Sequence, residues 1–113
     1  MYKAILVAAL VAVSTAASHA VFFTYSEWAR MPDNLRAVYI SGLYDALISF
    51  VDNDSGEKVA LHYQTCISRA KMQNAQLAEN TLAYAKSRPN VQSSGVGGAL
   101  IGYLIELCGK PPQ

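Results

Sequence analysis

Leu35-Arg36-Ala37-Val38-Tyr39-Ile40-Ser41-Gly42-Leu43-Tyr44-Asp45-Ala46-Leu47-Ile48-Ser49-Phe50-Val51 is the stretch that decides the fold class of this chain. Leu35, Val38, Tyr39, Gly42, Leu43, Ala46, Leu47, Phe50 and Val51 recur at helical spacing over about five turns. Ile40, Tyr44 and Ile48 add a second apolar stripe, which leaves a narrow polar edge at Ser41, Asp45, Ser49 and Asp52. A helix apolar on most of its circumference is expected at the centre of a bundle, covered by others on several sides. Pro32 or Asp33 starts it.

Other helical patterns flank this segment. Upstream, Thr24-Tyr25-Ser26-Glu27 has the spacing of a capping box, in which Thr24 accepts from a first-turn N–H and Glu27 reaches back. It predicts a short helix through Trp28 to about Met31, ended by Pro32. Downstream, Asp52-Asn53-Asp54-Ser55-Gly56 reads as a solvated turn. A calcium loop is the competing reading, but the glycine comes one place early and Tyr63 stands where the bidentate glutamate belongs. Residues 57–67 read as helix, with Val59, His62 or Tyr63, Cys66 and Ile67 inward, although their β-branched and aromatic content also tolerates an extended piece. Gln73 to Ser87 is rich in good helix formers, with Ala75, Ala78, Leu82 and Ala85 as its buried stripe, flanked by Leu77 and Tyr84. Pro89 ends it, and Asn90 to Ser94 is expected as a loop. Ser94 is placed to cap a last helix in which Val96, Leu100, Tyr103, Leu104 and Leu107 face the core. Gly98 and Gly102 give that helix one small-residue face for close approach by another, and Gly109 stops it ahead of Pro111-Pro112. The expected fold is all-α: a compact bundle of four to five helices, stapled by one disulfide.

The first twenty residues read as a secretory signal peptide. Lys3 precedes an unbroken apolar run from Ala4 to Val13, and Ser18-His19-Ala20 fits the small-x-small cleavage rule. Cleavage is expected after Ala20, with Ala16-Ala17-Ser18 as the nearby alternative, leaving residues 21–113 as a single helical domain beginning at Val21. A retained anchor would need about 20 apolar residues, and Ser14, Thr15, Ser18 and His19 interrupt this run. The run from Val96 to Cys108 is too short for a second span and contains glycines and Glu106. Export places the protein in the periplasm or outside the cell. Without Lys3, eight basic residues balance eight acidic ones. A neutral, unclustered charge distribution argues against nucleic acid, which demands a basic stripe to displace counterions. Nor does it offer a polybasic handle on an anionic membrane.

Little here points to catalysis, to a cofactor or to a metal. In an oxidising compartment, Cys66 and Cys108 read as a structural disulfide. In the chain-entropy picture, closing a loop of about 43 residues contributes ~4 kcal/mol. His62, four residues before Cys66, shares a helix face with it, but two ligands do not make a zinc site, so His62 reads as a packing residue. No nucleophile elbow, phosphate-binding glycine loop or H-E-x-x-H occurs. Asp45 and Glu106 lie in apolar helical stretches and mark exposed helix edges. Most of the seven tyrosines, with Trp28, are core by spacing, and an exposed subset would suit a protein interface. The chain reads as a non-enzyme.

Ser26-Glu27-Trp28, the run from Ala37 to Leu47, Cys66, Ala75-Gln76-Leu77 with Tyr84 and Pro89, and the terminal apolar helix closing on Cys108 together resemble the immunity proteins of the type VI secretion amidase system, the Tai and Rap-type family. The resemblance covers about Tyr25 to Gly109. Many members carry further cysteines near the positions of Ala29 and Ala37, and a proline where this chain reads Ile67-Ser68-Arg69. What the resemblance implies is a compact helical periplasmic protein, often a homodimer, that occludes a peptidoglycan-cleaving amidase. No inhibitory residue carries over from it. The competing reading is a small acid-stress chaperone with one disulfide, which the modest carboxylate density disfavours; a generic exported helical protein is the third.

Overall fold

In a computed structural model that describes residues 23–49 and 53–113, the chain forms six helices and, among those residues, no strand. They are α1 (Tyr25–Ala29), α2 (Asp33–Ser49), α3 (Asp54–Arg69), α4 (Asn74–Lys86), α5 (Pro89–Gln92) and α6 (Gly95–Cys108). The signal peptide expected over residues 1–20, its cleavage after Ala20, the start at Val21, the helix end at Phe50 and Val51, and Asp52 all lie outside the described residues.

Local chemistry accounts for the helix ends. The Thr24 hydroxyl caps α1 by accepting from the Glu27 N–H at 3.2 Å, and it donates to the Glu27 carboxylate at 3.0 Å. The expected capping box is therefore closed through Glu27 and the hydroxyl itself. Asn53 caps α3 by accepting from the Gly56 N–H at 2.8 Å, so Asp54, Ser55 and Gly56 belong to the first helical turn. The expected turn over residues 52–56 is thus cut short, and its last three residues are helical. A Schellman arrangement ends α3: the Lys71 N–H donates to Ser68 O at 3.1 Å and the Met72 N–H to Ile67 O at 3.3 Å. Lys71 sits at φ 50°, where glycine is the usual occupant.

Two expectations around Pro89 are revised. Asn90 to Ser94 is not wholly loop, because Pro89 occupies the first turn of the one-turn helix α5, where its missing N–H costs nothing. Ser94 does not cap α6 through its side chain; its hydroxyl donates back to Val91 O at 2.6 Å. Gln92 reaches back too, its amide donating to the α4 carbonyls of Ala85 at 2.8 Å and Lys86 at 3.2 Å. These bonds supply partners for helix-end carbonyls that would otherwise depend on water.

The central helix is α6, not α2. It touches each of the other five helices and buries Val96, Ala99, Leu100, Tyr103 and Leu104. Its small residues explain how. A Cβ on Gly102 would lie 2.9 Å from the ring of Tyr84, so the missing side chain is what admits α4 at this point. Gly98 has no such neighbour from another helix; a Cβ there would meet only the Ser94 side chain of its own turn. Leu107, expected in the core, is 40% exposed at the far end.

Against α6 and each other, α2 and α4 pack with a rotation the hydrophobic pattern does not select. On α2 only Ala37 and Ile40 are fully buried, with Tyr44 and Leu47 partly covered on the same side. Leu35 and Val38, expected in the main buried stripe, are 50% and 65% exposed. Arg36 explains the phase. Its guanidinium donates to Ala29 O, at the end of α1, and to Met31 O just after it, and pairs with Asp33 and with Glu79 of α4, the last at 3.2 Å. The indole of Trp28, wholly buried, donates to Arg36 O at 3.2 Å. These bonds turn the Ala37–Ile40 side inward. On α4 the buried face is Leu77, Ala78, Thr81 and Ala85, while Ala75 is exposed. Thr81 is fully buried and its hydroxyl lacks a hydrogen-bond partner.

Candidate functional site

The disulfide is formed. Cys66 in the last turn of α3 and Cys108 at the end of α6 are bonded, with Cα atoms 5.7 Å apart and a separation of 42 positions in sequence. Both are half-buried, and they lie in the floor of a surface groove enclosing about 660 Å³. One wall is a face of α3, because Lys58, Leu61, His62, Thr65 and Arg69 fall at i, i+3, i+4, i+7 and i+11. Leu107 and the tail residue Pro112 make the other.

Gly109 brings the tail there. At φ 77° it leaves the helix in a conformation that disfavours any side chain, while its N–H still donates to Ile105 O at 2.9 Å. Its carbonyl lies 2.9 Å from His62 Nε2, so the imidazole donates there. The His62 ring also meets Tyr63 edge-on, with centroids 5.2 Å apart. His62 is thus a strut between α3 and the tail, as its packing role anticipates, and Tyr63 is the inward member of the pair, 3% exposed.

No carboxylate lines the groove. Among the described residues three ion pairs form, Arg36–Asp33, Arg36–Glu79 and Arg88–Glu106, and none uses Lys58 or Arg69. Asp54, one turn before Lys58 on α3, and Glu57, next to it, are the acidic residues at that end of the helix, outside the groove lining. Lys58 and Arg69, eleven positions apart on α3, are thus the charged side chains of the groove lining.

A second surface is apolar. Leu35, Val38, Gly42 and Ala46 form an exposed stripe on α2, and beside it a shallow groove of about 290 Å³ runs between α2 and α6 over Leu43, Leu47, Gly97 and Ile101. Here the spacing rule finds the stripe and misplaces it, from core to surface.

Asp45 and Glu106 both lie on exposed helix edges; Glu106 receives a bond from Arg88 at 3.3 Å, and Arg88 stacks 4.1 Å above the Tyr84 ring. Tyr25, Tyr63 and Tyr103 are buried, and Tyr39, Tyr44 and Tyr84 half-buried. Burial raises Tyr25 and Tyr63 above the ordinary tyrosine pKa; burial, then the neighbouring Asp45 carboxylate, raises Tyr44. Among the described residues no cluster of three metal-ligating side chains occurs, and no helix is long and apolar enough to cross a membrane. Neither wall of the groove is legible in the sequence: Arg69 lies beyond the helix expected over residues 57–67, and the tail that closes the groove leaves no periodic signal. No family model, curated protein or solved structure matches this chain at a significant level.

Proposed function

We propose that this protein is a non-enzymatic binding domain of the periplasm or extracellular space that recognises another protein, and in its sharpest form an inhibitor that occludes a peptidoglycan amidase. The observation that carries the reading is the apolar outer face of α2. A continuous line of Leu35, Val38, Gly42 and Ala46 open to water is the kind of surface that small proteins cover with a partner. The resemblance of the Ala37-to-Leu47 helix and the Cys66/Cys108 frame to amidase immunity proteins supplies the identity of that partner. Formation of the disulfide fits an oxidising compartment.

Co-expression with an amidase encoded beside this protein tests the proposal. A stable complex and loss of peptidoglycan cleavage are expected, both weakened by Val38→Glu, a change at a position that is 65% exposed and outside the core. An amidase that neither binds nor loses activity removes the immunity reading.

A further inference from the structure

We infer that the groove between α3 and the C-terminal tail is a second docking site, distinct from the α2 face, which takes a segment of a protein partner carrying carboxylates on either side of an apolar stretch. The inference rests on the binding-protein reading but not on the partner being an amidase.

Charge complementarity names the occupant. Lys58 and Arg69 stand toward the two ends of the groove, both exposed and without an ion-pair partner among the described residues. The surface between them is apolar: Leu61, 60% exposed, Leu107, 40% exposed, and the disulfide. The eleven-residue spacing along α3 corresponds to about 16 Å. An extended segment of about five residues spans the same length, which sets the separation of the two acidic groups. A cationic partner would leave Lys58 and Arg69 repelled, and a purely apolar one would cover an ammonium and a guanidinium without compensation. Anionic side chains flanking apolar ones satisfy both parts of the surface.

The groove is also built in advance. The disulfide holds its floor, and the His62–Gly109 hydrogen bond holds the tail that forms its far wall. Little ordering cost remains to be met on binding, so a modest contact area can still give measurable affinity. The chain as a whole is close to neutral, so a lining with two cations and no carboxylate is a property of the fold rather than of the composition.

The test uses the full disulfide-bonded protein and a fluorescein-labelled peptide with a glutamate at each end of a leucine-rich stretch, read by fluorescence anisotropy. Saturable binding is expected, weakening with salt, and falling about tenfold in the double variant Lys58→Glu, Arg69→Glu, since two exposed charge pairs together amount to about a factor of ten. Leu61→Ser, at an exposed position, should weaken it by several-fold. The same peptide with lysines in place of glutamates should not bind. Equal binding of both peptides, equal binding by the double variant, or no binding of the glutamate peptide overturns the inference. So does binding of anionic phospholipid vesicles that the double variant loses while the peptide is ignored, because the groove would then be a membrane contact. Amidase inhibition is a separate readout: peptide binding without inhibition removes the immunity reading and leaves the groove, and inhibition without peptide binding does the reverse.

Discussion

Replacing Arg36 by alanine should cost this domain about 2–3 kcal/mol. Its side chain is 11% exposed, and its fork serves four acceptors: two backbone carbonyls at the exit of α1, and the carboxylates of Asp33 and Glu79. Hydrogen bonds from a charged donor contribute about 1.5–3 kcal/mol each when buried. The two carboxylates deserve little of that, because Asp33 is 86% and Glu79 57% exposed and both regain water once the guanidinium is gone. The carbonyls of Ala29 and Met31 carry most of the loss, since they sit where α1 turns into α2. Against this, the variant is relieved of a desolvated guanidinium whose Nε has no partner, which holds the total below the sum of its parts. At about 4–8 °C per kcal/mol for a domain of this size, the melting temperature should fall by roughly 10–20 °C. Arg36→Lys should recover about half, because an ammonium keeps the charge but cannot span α1 and α4 with one fork. Urea unfolding followed by far-UV circular dichroism, with the disulfide intact, gives the comparison. The exposed Arg30, which bonds only Ser26 O of its own helix, is the control. A stability change within about 0.5 kcal/mol for Arg36→Ala, or an equal loss for Arg30→Ala, would refute the claim that Arg36 fixes how α2 sits on its neighbours.

Two glycines should respond in opposite directions. Gly42→Ala meets nothing within 4 Å and should stabilise α2 by about 0.5–1 kcal/mol, whereas Gly102→Ala drives a methyl to 2.9 Å from a Tyr84 ring pinned between Arg88 and Tyr103 and should destabilise by about 1 kcal/mol; paired urea titrations decide. Lys71→Gly should raise stability by about 0.5–1 kcal/mol at its left-handed position, and a lower denaturation midpoint would contradict the Schellman ending of α3. Replacing both Cys66 and Cys108 by serine should cost about 2–4 kcal/mol, measured as the difference in unfolding free energy between the variant and the oxidised parent. Burial raises Tyr25, Tyr44 and Tyr63 above their ordinary value of 10.0, so the folded state holds these protons more tightly than the unfolded chain. Their contribution is complete below pH 10.0 and is lost as the pH climbs through the higher folded values; a urea midpoint that stays level through that alkaline range would exclude it.

The legible parts of this fold are those decided within a few residues. Thr24 and Glu27 announce the start of α1, Gly109 announces the end of α6, and the positions of α2, α3 and α4 follow from composition and period, whereas the one-turn α5 reads as loop. Which way a helix faces is a longer-range matter. On α2 apolar residues surround the axis so evenly that periodicity selects no side, and the choice falls to Arg36 reaching from α2 to α1 and α4. The same is true of α6, whose central place depends on Tyr84 entering over Gly102. Both candidate surfaces show this division. The residues of the α2 stripe are plain in the sequence, but their exposure is not; Lys58 and Arg69 are plain, but the tail that returns beside them through His62 is not.

The disulfide also divides the molecule topologically. Residues between Cys66 and Cys108 form a covalent ring that carries α4, α5 and nearly all of α6, while α1, α2 and most of α3 hang from it as a linear arm. A protease cutting at the exposed Ser93 or Ser94 would leave one covalent molecule, nicked but whole, with its central helix still tethered to α3. A cut at Asn53 would instead free α1 and α2, and with them the apolar face. Against proteolysis, the ring confers tolerance to damage on one half of the protein and leaves the other half to rely on packing alone.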